Sequence, residues 1–500
     1  MPIRLNELTP ERLSGLRRGI EKESLRSLPD GSLALTPHPP LLGSALTHPF
    51  ITTDFSESQV ELVTGAHPTA LACLAELDSL HQLTYQAIGE ERLWVSSMPC
   101  HLPPDDQIPV AHYGTSNIAQ AKTVYRMGLS HRYGRRMQTI SGIHYNWSLP
   151  ELSSAEYFAL IRNFRRHSFL LLYLFGASPA VDEGFVAGRP HGLQKLGRHS
   201  LYLPHATSLR MGRLGYQSDA QASLRVSYNC LDSYAASLQE ALTRPYPAYE
   251  AMGIRDDHGD YLQLGTTLLQ IENEFYGTIR PKRVIRSGER PLHALRERGV
   301  EYVEVRCMDL DPFEPLGINT LTSRFLDIFL LHCALSDSPD DTPEEINAMV
   351  LNLHRTAARG REPGLLLERG DQTLLLTEWA AELLAELEPI ARYLDSSPLG
   401  SGHQTALTEA RQRLADPALT PSARVVTTLQ QNGIEHVDFV RQRSDAVWQA
   451  FQGRKLDPAA QDRWTRMAQE SLAEQGRLEA GETQDFESFR QNYVSAQRLG

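Results

Sequence analysis

An α+β fold is predicted for this chain, on two observations. Over roughly the first three hundred residues, short stretches with alternating polar and apolar residues are interleaved with longer stretches of helical period, and glycine and proline separate them. After about residue 336 the texture becomes polar and almost wholly helical. Alternation with one polar face is the pattern of an antiparallel sheet open on one side, since a sheet covered on both faces reads as continuous apolar runs.

The first strand-like stretch, "RGIEKESLR" (18–26), carries Glu21 and Glu23 between Ile20 and Leu25. On a helix, positions i and i+2 diverge, whereas on a strand they share a face. Two negative charges on one face are unfavourable unless something positive lies between them. In "SQVELVT" (58–64) Glu61 opposes Val60 and Leu62, and "TTDF" just upstream supplies Asp54. In "SGIHYNWSLP" (141–150) His144, Asn146 and Ser148 alternate with Ile143, Tyr145, Trp147 and Leu149. "LLQIENEFY" (268–276) reads as a further strand with Glu272 and Glu274 on one face. In "EYVEVRCMDL" (301–310) Glu304 and Arg306 share a face, opposite Val303, Val305 and Cys307.

Helical periods run over 68–92, 155–175, 230–243 and 319–335. "TPEEINAMVLNLHRTAARG" (342–360) is an amphipathic helix with acids in its first turn and bases in its last, as the helix dipole favours. "REPGLLLERGDQ" (361–372) reads as a break, and helices follow from about 373. The expected organisation is a catalytic region over 1–370 and a helical region over 371–500 packed on it as a buttress.

Composition narrows the function. A formal net charge of −12 argues against a nucleic-acid partner, because phosphate backbones need a cationic surface. Five scattered cysteines without a CxxC pair suit a reduced chain rather than a disulfide framework or zinc knuckle. The first residues lack the apolar core of a signal peptide, and the longest apolar run, "FLLLYLF" (169–175), is too short to cross a bilayer. The expected location is the cytoplasm, with no membrane partner. There is no GxxxxGK[ST] loop, no GxGxxG after a strand and no HExxH. "GASPA" (176–180) lacks the last glycine of a nucleophile elbow and follows a helical pattern.

The polar strand faces carry bare carboxylates, one histidine and one arginine instead of the lysine, serine and threonine of an ordinary solvated face. Such a set suits a hard divalent cation that binds phosphate, with a solvated sheet face as the other reading. Two basic stretches, 122–136 and 279–290, could hold a polyphosphate or a substrate carboxylate.

Taken in order, "RGIEKESLR", "LGSALTHPFITTDFSESQVELVT", "YGTSNIAQAKTVYRMGLSHRYG", "MQTISGIHYNWSLP", "YLFGASPA", "YLPHATSLRMGRLGY", "LQIENEFYGTIRPKR" and "GVEYVEVRCMDLDPF" resemble the bacterial glutamate–cysteine ligase (γ-glutamylcysteine synthetase) family, collinearly from about residue 10 to about 370. The resemblance implies a glutamine-synthetase-like fold, an antiparallel sheet curved around a funnel-shaped site. It implies ATP as co-substrate, with Mg2+ (Mn2+ possible), to join the γ-carboxylate of L-glutamate to the amine of L-cysteine through γ-glutamyl phosphate, and glutathione as feedback inhibitor. The implied metal ligands are Glu21, Glu23, Asp54, Glu61, His144 and Glu304. Arg306 would reach the ATP γ-phosphate, with Glu304 beside it in the catalytic set. Tyr125, Arg126, Gln138, Tyr216 and Tyr276 would line the cysteine side, and Arg210 would hold a substrate carboxylate. Alternatives are a ligase of the same fold with another amine acceptor, a sensor that has lost turnover, and a metal-dependent phosphohydrolase.

Overall fold

Strand Arg17–Ser27 (β1) is the axis of the main sheet. The computed structural model describes residue 5 and residues 8–214, 220–221, 224–286, 288–397 and 399–500. The other strands of this sheet are Ile51–Thr53 (β2), Gln59–Val63 (β3), Arg92–Leu93 (β4), Ile143–Ser148 (β5), Ile279–Lys282 (β6) and Tyr302–Met308 (β7). Their spatial order is β2-β3-β1-β5-β7-β6, every pairing is antiparallel, and β4 pairs with the far end of β1. The predicted α+β class and antiparallel sheet are therefore present.

Alternation decides which side chains meet. Opposite β1, Glu23 faces Glu61 of β3 and Glu21 faces His144 of β5, while Glu304 of β7 lies opposite Asn146 of β5. The intervening residues Ile20, Val60, Ile143, Tyr145, Trp147, Val303 and Val305 are fully buried in the main core on the other face. Lys22 also points to that covered face. Lys22 Nζ lies 2.8 Å from His81 Nε2 and 3.0 Å from Ser24 Oγ, and burial pushes its pKa down to about 7.

Helices Ala70–Ile88 (α1), Ser154–Phe175 (α3) and Thr320–Leu335 (α4) form where the 3.6-residue period predicts them, and Asn117–Tyr133 (α2) is a helix in a stretch read from the sequence only as basic. The capping box Ser153–Glu156 starts α3, and Asn319 caps α4. Both helices cover the apolar face and pack against each other through Phe164 and Phe329. A buried ion pair ties the sheet to this layer. Arg18 of β1 reaches both oxygens of Asp327 on α4, at 3.1 and 3.0 Å, and the Tyr145 hydroxyl adds a third contact at 3.1 Å.

The stretch 268–276 departs from the expected strand. Residues Glu272–Glu274 form a single 3-10 turn, and both carboxylates are buried in separate ion pairs. Glu272 accepts from Arg290 at 2.6 Å and from the Leu292 N–H at 3.1 Å. Glu274 accepts from Arg132 at 2.9 Å, the Tyr133 hydroxyl at 2.6 Å and the Gln270 N–H at 2.7 Å. Arg132 and Arg290, remote in sequence, turn the local alternation into a tight turn, because each buried carboxylate must meet its own cation. The break at 361–372 also holds more order than expected. Leu366–Arg369 pairs with Gln372–Leu375 in a hairpin whose turn includes Gly370 at φ 59°, a left-handed conformation suited to glycine.

The C-terminal helices join the same core as the sheet, through Trp379, Leu383, Ala391, Leu407 and Trp464. Trp464, on helix Pro458–Ala480 (α5), meets the Phe50 ring edge-on at 5.3 Å. No helix among the described residues is long and apolar enough to cross a membrane.

Asp327→Ala leaves the Arg18 guanidinium buried without its counter-charge. We expect a loss of about 3–5 kcal/mol of stability, read as a lower urea midpoint with an unchanged slope.

Candidate active site

The polar face of the sheet forms the floor of a cavity of about 670 Å3. Glu21, Glu23, Glu61, His144, Glu304 and Arg306 project into it from β1, β3, β5 and β7, and Asp54 enters from the turn between β2 and β3. Lys122, Tyr125 and Arg126 of α2 form one wall together with Gln138 and Tyr276. Glu474 and Leu478 of α5 and Tyr493 of helix Phe486–Tyr493 (α6), which packs against α2, complete the lining. All six metal ligands implied by the resemblance therefore line one space.

The carboxylates divide into two environments. Glu21 accepts from Asn146 Nδ2 at 2.8 Å and contacts His144 Nδ1 at 3.1 Å. Glu304 lies 3.1 Å from Lys282 Nζ and 3.0 Å from Arg306 Nη1, with Arg280 at 4.0 Å. Burial pushes the Glu304 carboxyl up, but Lys282, Arg306, His144 and Arg280 outweigh it and hold the group well below the usual carboxylate range. Burial and the Glu304 charge push Glu21 up as well, while His144 and Lys282 leave it lowered.

On the other side of β1 the balance reverses. Glu23 accepts the Gly142 N–H at 2.8 Å, yet burial and the neighbouring Asp54 charge raise it to about 8 against the pull of Arg210 and Arg306. Burial, then Glu21, Asp54 and Glu23, push Glu61 well above its ordinary range. Negative charge is thus under-compensated around Glu23 and Glu61.

His144 stands between the two environments. One ligand atom each from Glu21, His144 and Glu304 lie within 4.8 Å of one another, and so do those from Glu23, Glu61 and His144. His144 Nε2 is buried without a hydrogen-bond partner among the described residues, 3.6 Å from Glu23 Oε1.

The remaining residues implied by the resemblance fall in different places. Tyr125, Gln138 and Tyr276 line the cavity, and Gln138 Nε2 donates to the Tyr276 hydroxyl at 3.1 Å. Arg126 also lines it, but its guanidinium stacks over the Tyr113 ring and donates to the Asp54 carbonyl, which fixes the Asp54 turn. Arg210 is buried beneath the wall and donates to the Arg306 carbonyl at 2.9 Å. Tyr216 lies outside the described residues. Lys122, Arg280 and Lys282 are wall cations that sequence reasoning saw only as members of basic stretches. The alternation of Arg280 and Lys282 within "IRPK" was the signal for those two. Glu474, Leu478 and Tyr493 carried none, since only tertiary packing brings them to the mouth.

The sheet gathers buried carboxylates and an imidazole on one face, opposed by arginine and lysine cations, a charge arrangement suited to phosphate. The protein's relatives place it in the class of ATP-dependent ligases. The sequence model of the family described as Glutamate-cysteine ligase matches residues 4–356, and the chain belongs to that family. Its reaction is the ATP-dependent synthesis of γ-glutamylcysteine from L-glutamate and L-cysteine. The glutamate–cysteine ligase of Pseudomonas fluorescens is 49% identical over 496 residues, covering 96% of this chain and 93% of that protein. The enzyme of the same description from Azotobacter vinelandii is 49% identical over 499 residues, covering 96% and 94%. The crystal structure of glutamate–cysteine ligase from Francisella tularensis in complex with AMP is 36% identical and superposes with a TM-score of 0.92 over 97% of this chain and 98% of that one. A bifunctional glutathione synthetase from Pasteurella multocida shares the fold, at 24% identity and a TM-score of 0.71, over 93% of this chain and 57% of that one.

Gly142 is glycine for a reason of space. A Cβ there would lie 2.0 Å from an Arg210 guanidinium nitrogen, while the Gly142 N–H holds Glu23. Either the buried Arg210 guanidinium or the Gly142 backbone must give way, and a misplacement of about an ångström in the anchor of Glu23 can cost roughly a hundredfold in rate. Gly142→Ala is therefore expected to lose about that much kcat in protein whose circular dichroism is unchanged.

Proposed function

We propose that this protein activates the γ-carboxylate of L-glutamate by phosphoryl transfer from ATP and passes the resulting γ-glutamyl phosphate to the amine of L-cysteine, with Mg2+ held by Glu21, Glu23, Asp54, Glu61, His144 and Glu304. The observation that carries the metal reading is the donor set itself. Buried carboxylates short of positive charge surround an imidazole nitrogen that has no hydrogen-bond partner among the described residues. Carboxylate oxygens with one nitrogen fit Mg2+, and the same set accepts Mn2+. Bound there, the cation supplies neutralisation of phosphate charge.

The chain's own residues supply the rest. Arg306, held against Glu304 at 3.0 Å, presents its guanidinium to the cavity, where it meets the charge that develops on the transferring phosphoryl oxygens. Arg280 and Lys282 widen that cationic edge. Tyr125, Gln138 and Tyr276 offer polar tips on apolar bodies, a lining suited to a small amino acid with a soft side chain. Arg126 acts by positioning Asp54, and Arg210 supports the wall from behind. An acyl phosphate hydrolyses readily, and the lining side chains Glu474, Leu478 and Tyr493 of α5 and α6 would help to exclude water from it. The domain reading that follows is a catalytic unit over 1–370 and a helical region over 371–500 that completes its mouth.

Glutathione contains a γ-glutamylcysteine unit, so it would compete for the same cavity as a feedback inhibitor. All five cysteines are free thiols, which supports a reducing cytoplasmic location.

The deciding assay measures ADP release with ATP, Mg2+ and L-glutamate, with and without L-cysteine, and the dipeptide by mass. One γ-glutamylcysteine per ADP is expected. Turnover with another amine but not with cysteine would overturn the acceptor assignment. Glu304→Gln or Arg306→Ala should each lower kcat by at least about a hundredfold, and near-normal turnover removes that residue from the mechanism.

A further inference from the structure

On the covered side of the sheet, α3 and α4 bring together His167, His332 and Cys333, none of which lines the cavity. One ring nitrogen of each histidine and the Cys333 sulfur lie within 4.8 Å of one another. The helix Leu376–Glu386 covers them, with the Trp379 ring edge-on to His167 at 6.2 Å.

The hydrogen bonding of the cluster is one-sided. His332 Nε2 lies 2.8 Å from Glu386 Oε2. A carboxylate accepts an N–H, so the proton resides on Nε2 and Nδ1 keeps a bare lone pair. That Nδ1 is buried without a hydrogen-bond partner among the described residues, and so is His167 Nδ1. His332 is 1% exposed and Cys333 fully buried. Buried polar atoms almost always find a partner, and two unsatisfied imidazole nitrogens beside a thiol call for one shared occupant. Imidazole, imidazole and thiolate, with a carboxylate orienting one ring, make a donor set for a thiophilic cation and not for Mg2+.

We propose that His167, His332 and Cys333 form a binding site for Zn2+, separate from the active site. On binding, the Cys333 S–H bond breaks, its proton passes to water, and the thiolate and two imidazole lone pairs form three bonds to the ion. The fourth position remains for water. Glu386, whose side chain is 38% exposed, marks the way in. Tetrahedral zinc sets its ligand atoms roughly 3.3–3.8 Å apart, so the three atoms close by no more than about 1.5 Å. Burial, with His332, Arg166 and Arg369 nearby, holds His167 well below the ordinary imidazole range, which leaves it neutral and able to ligate.

The test uses the full chain in thiol-free buffer with saturating Mg2+, and Co2+ as the probe. One Co2+ per chain with a thiolate charge-transfer band is expected, bleached by one equivalent of Zn2+. The band should vanish in Cys333→Ser and persist in Cys230→Ser, which removes the exposed cysteine. His167→Ala should weaken Zn2+ binding by at least about tenfold, with turnover on Mg2+ and ATP unchanged in each variant. No band in the wild-type protein, or a band that survives Cys333→Ser, overturns the site. Should Cys333→Ser fail to fold, X-ray absorption of the zinc-loaded wild-type protein decides. One sulfur and two nitrogens in the shell uphold the site, and an all-oxygen shell refutes it.

Discussion

The whole site rests on one electrostatic constraint. Glu21 and Glu23 leave β1 on the same face, with Glu61 directly across from Glu23 and Glu304 on the next strand but one. Four carboxylates gathered in a buried space repel one another strongly, and the surrounding fold answers unevenly. Lys282, Arg306 and Arg280 crowd around Glu304, so that side stays charged. Glu23 and Glu61 have weaker compensation, and their raised proton affinity measures the deficit. The asymmetry separates a region short of positive charge from a region that lysine and arginine already compensate.

Rigidity behind the sheet keeps these charges in place. Arg18 with Asp327, and Tyr145 with the same carboxylate, lock β1 and β5 to α4. Buried ion pairs add little net stability, yet they fix one arrangement because the unpaired alternative is costly. Glu272 and Glu274 serve the walls in the same way. Through Arg132 the turn holds the end of α2, and through Arg290 it reaches the Tyr493 carbonyl of α6 at 2.6 Å.

Much of this was legible in the chain itself. Alternation in "RGIEKESLR", "QVELVT", "HYNWS" and "VEVRC" selects the face of each strand, and those faces hold the residues that converge. Alternation fails at 268–276, where partners more than a hundred residues away in one case decide the local conformation. The depth of Arg210 was equally hidden, since a motif names a residue but not whether its side chain reaches the surface of a wall or lies under it. The contribution of Glu474 and Tyr493 depends on how α5 and α6 dock, and docking leaves no period in the sequence.

That docking places the last wall of the cavity almost at the end of the chain. Every strand of the main sheet is complete by Met308, whereas Tyr493 is made much later. At ordinary elongation rates the gap is roughly ten to forty seconds. During that interval the residues of the charged floor have been made and those of the helices that complete the lining have not. Synthesis order therefore places the carboxylate-bearing strands ahead of the helices that finish the cavity wall, and the core they share through Trp379 and Trp464 closes only once both are made.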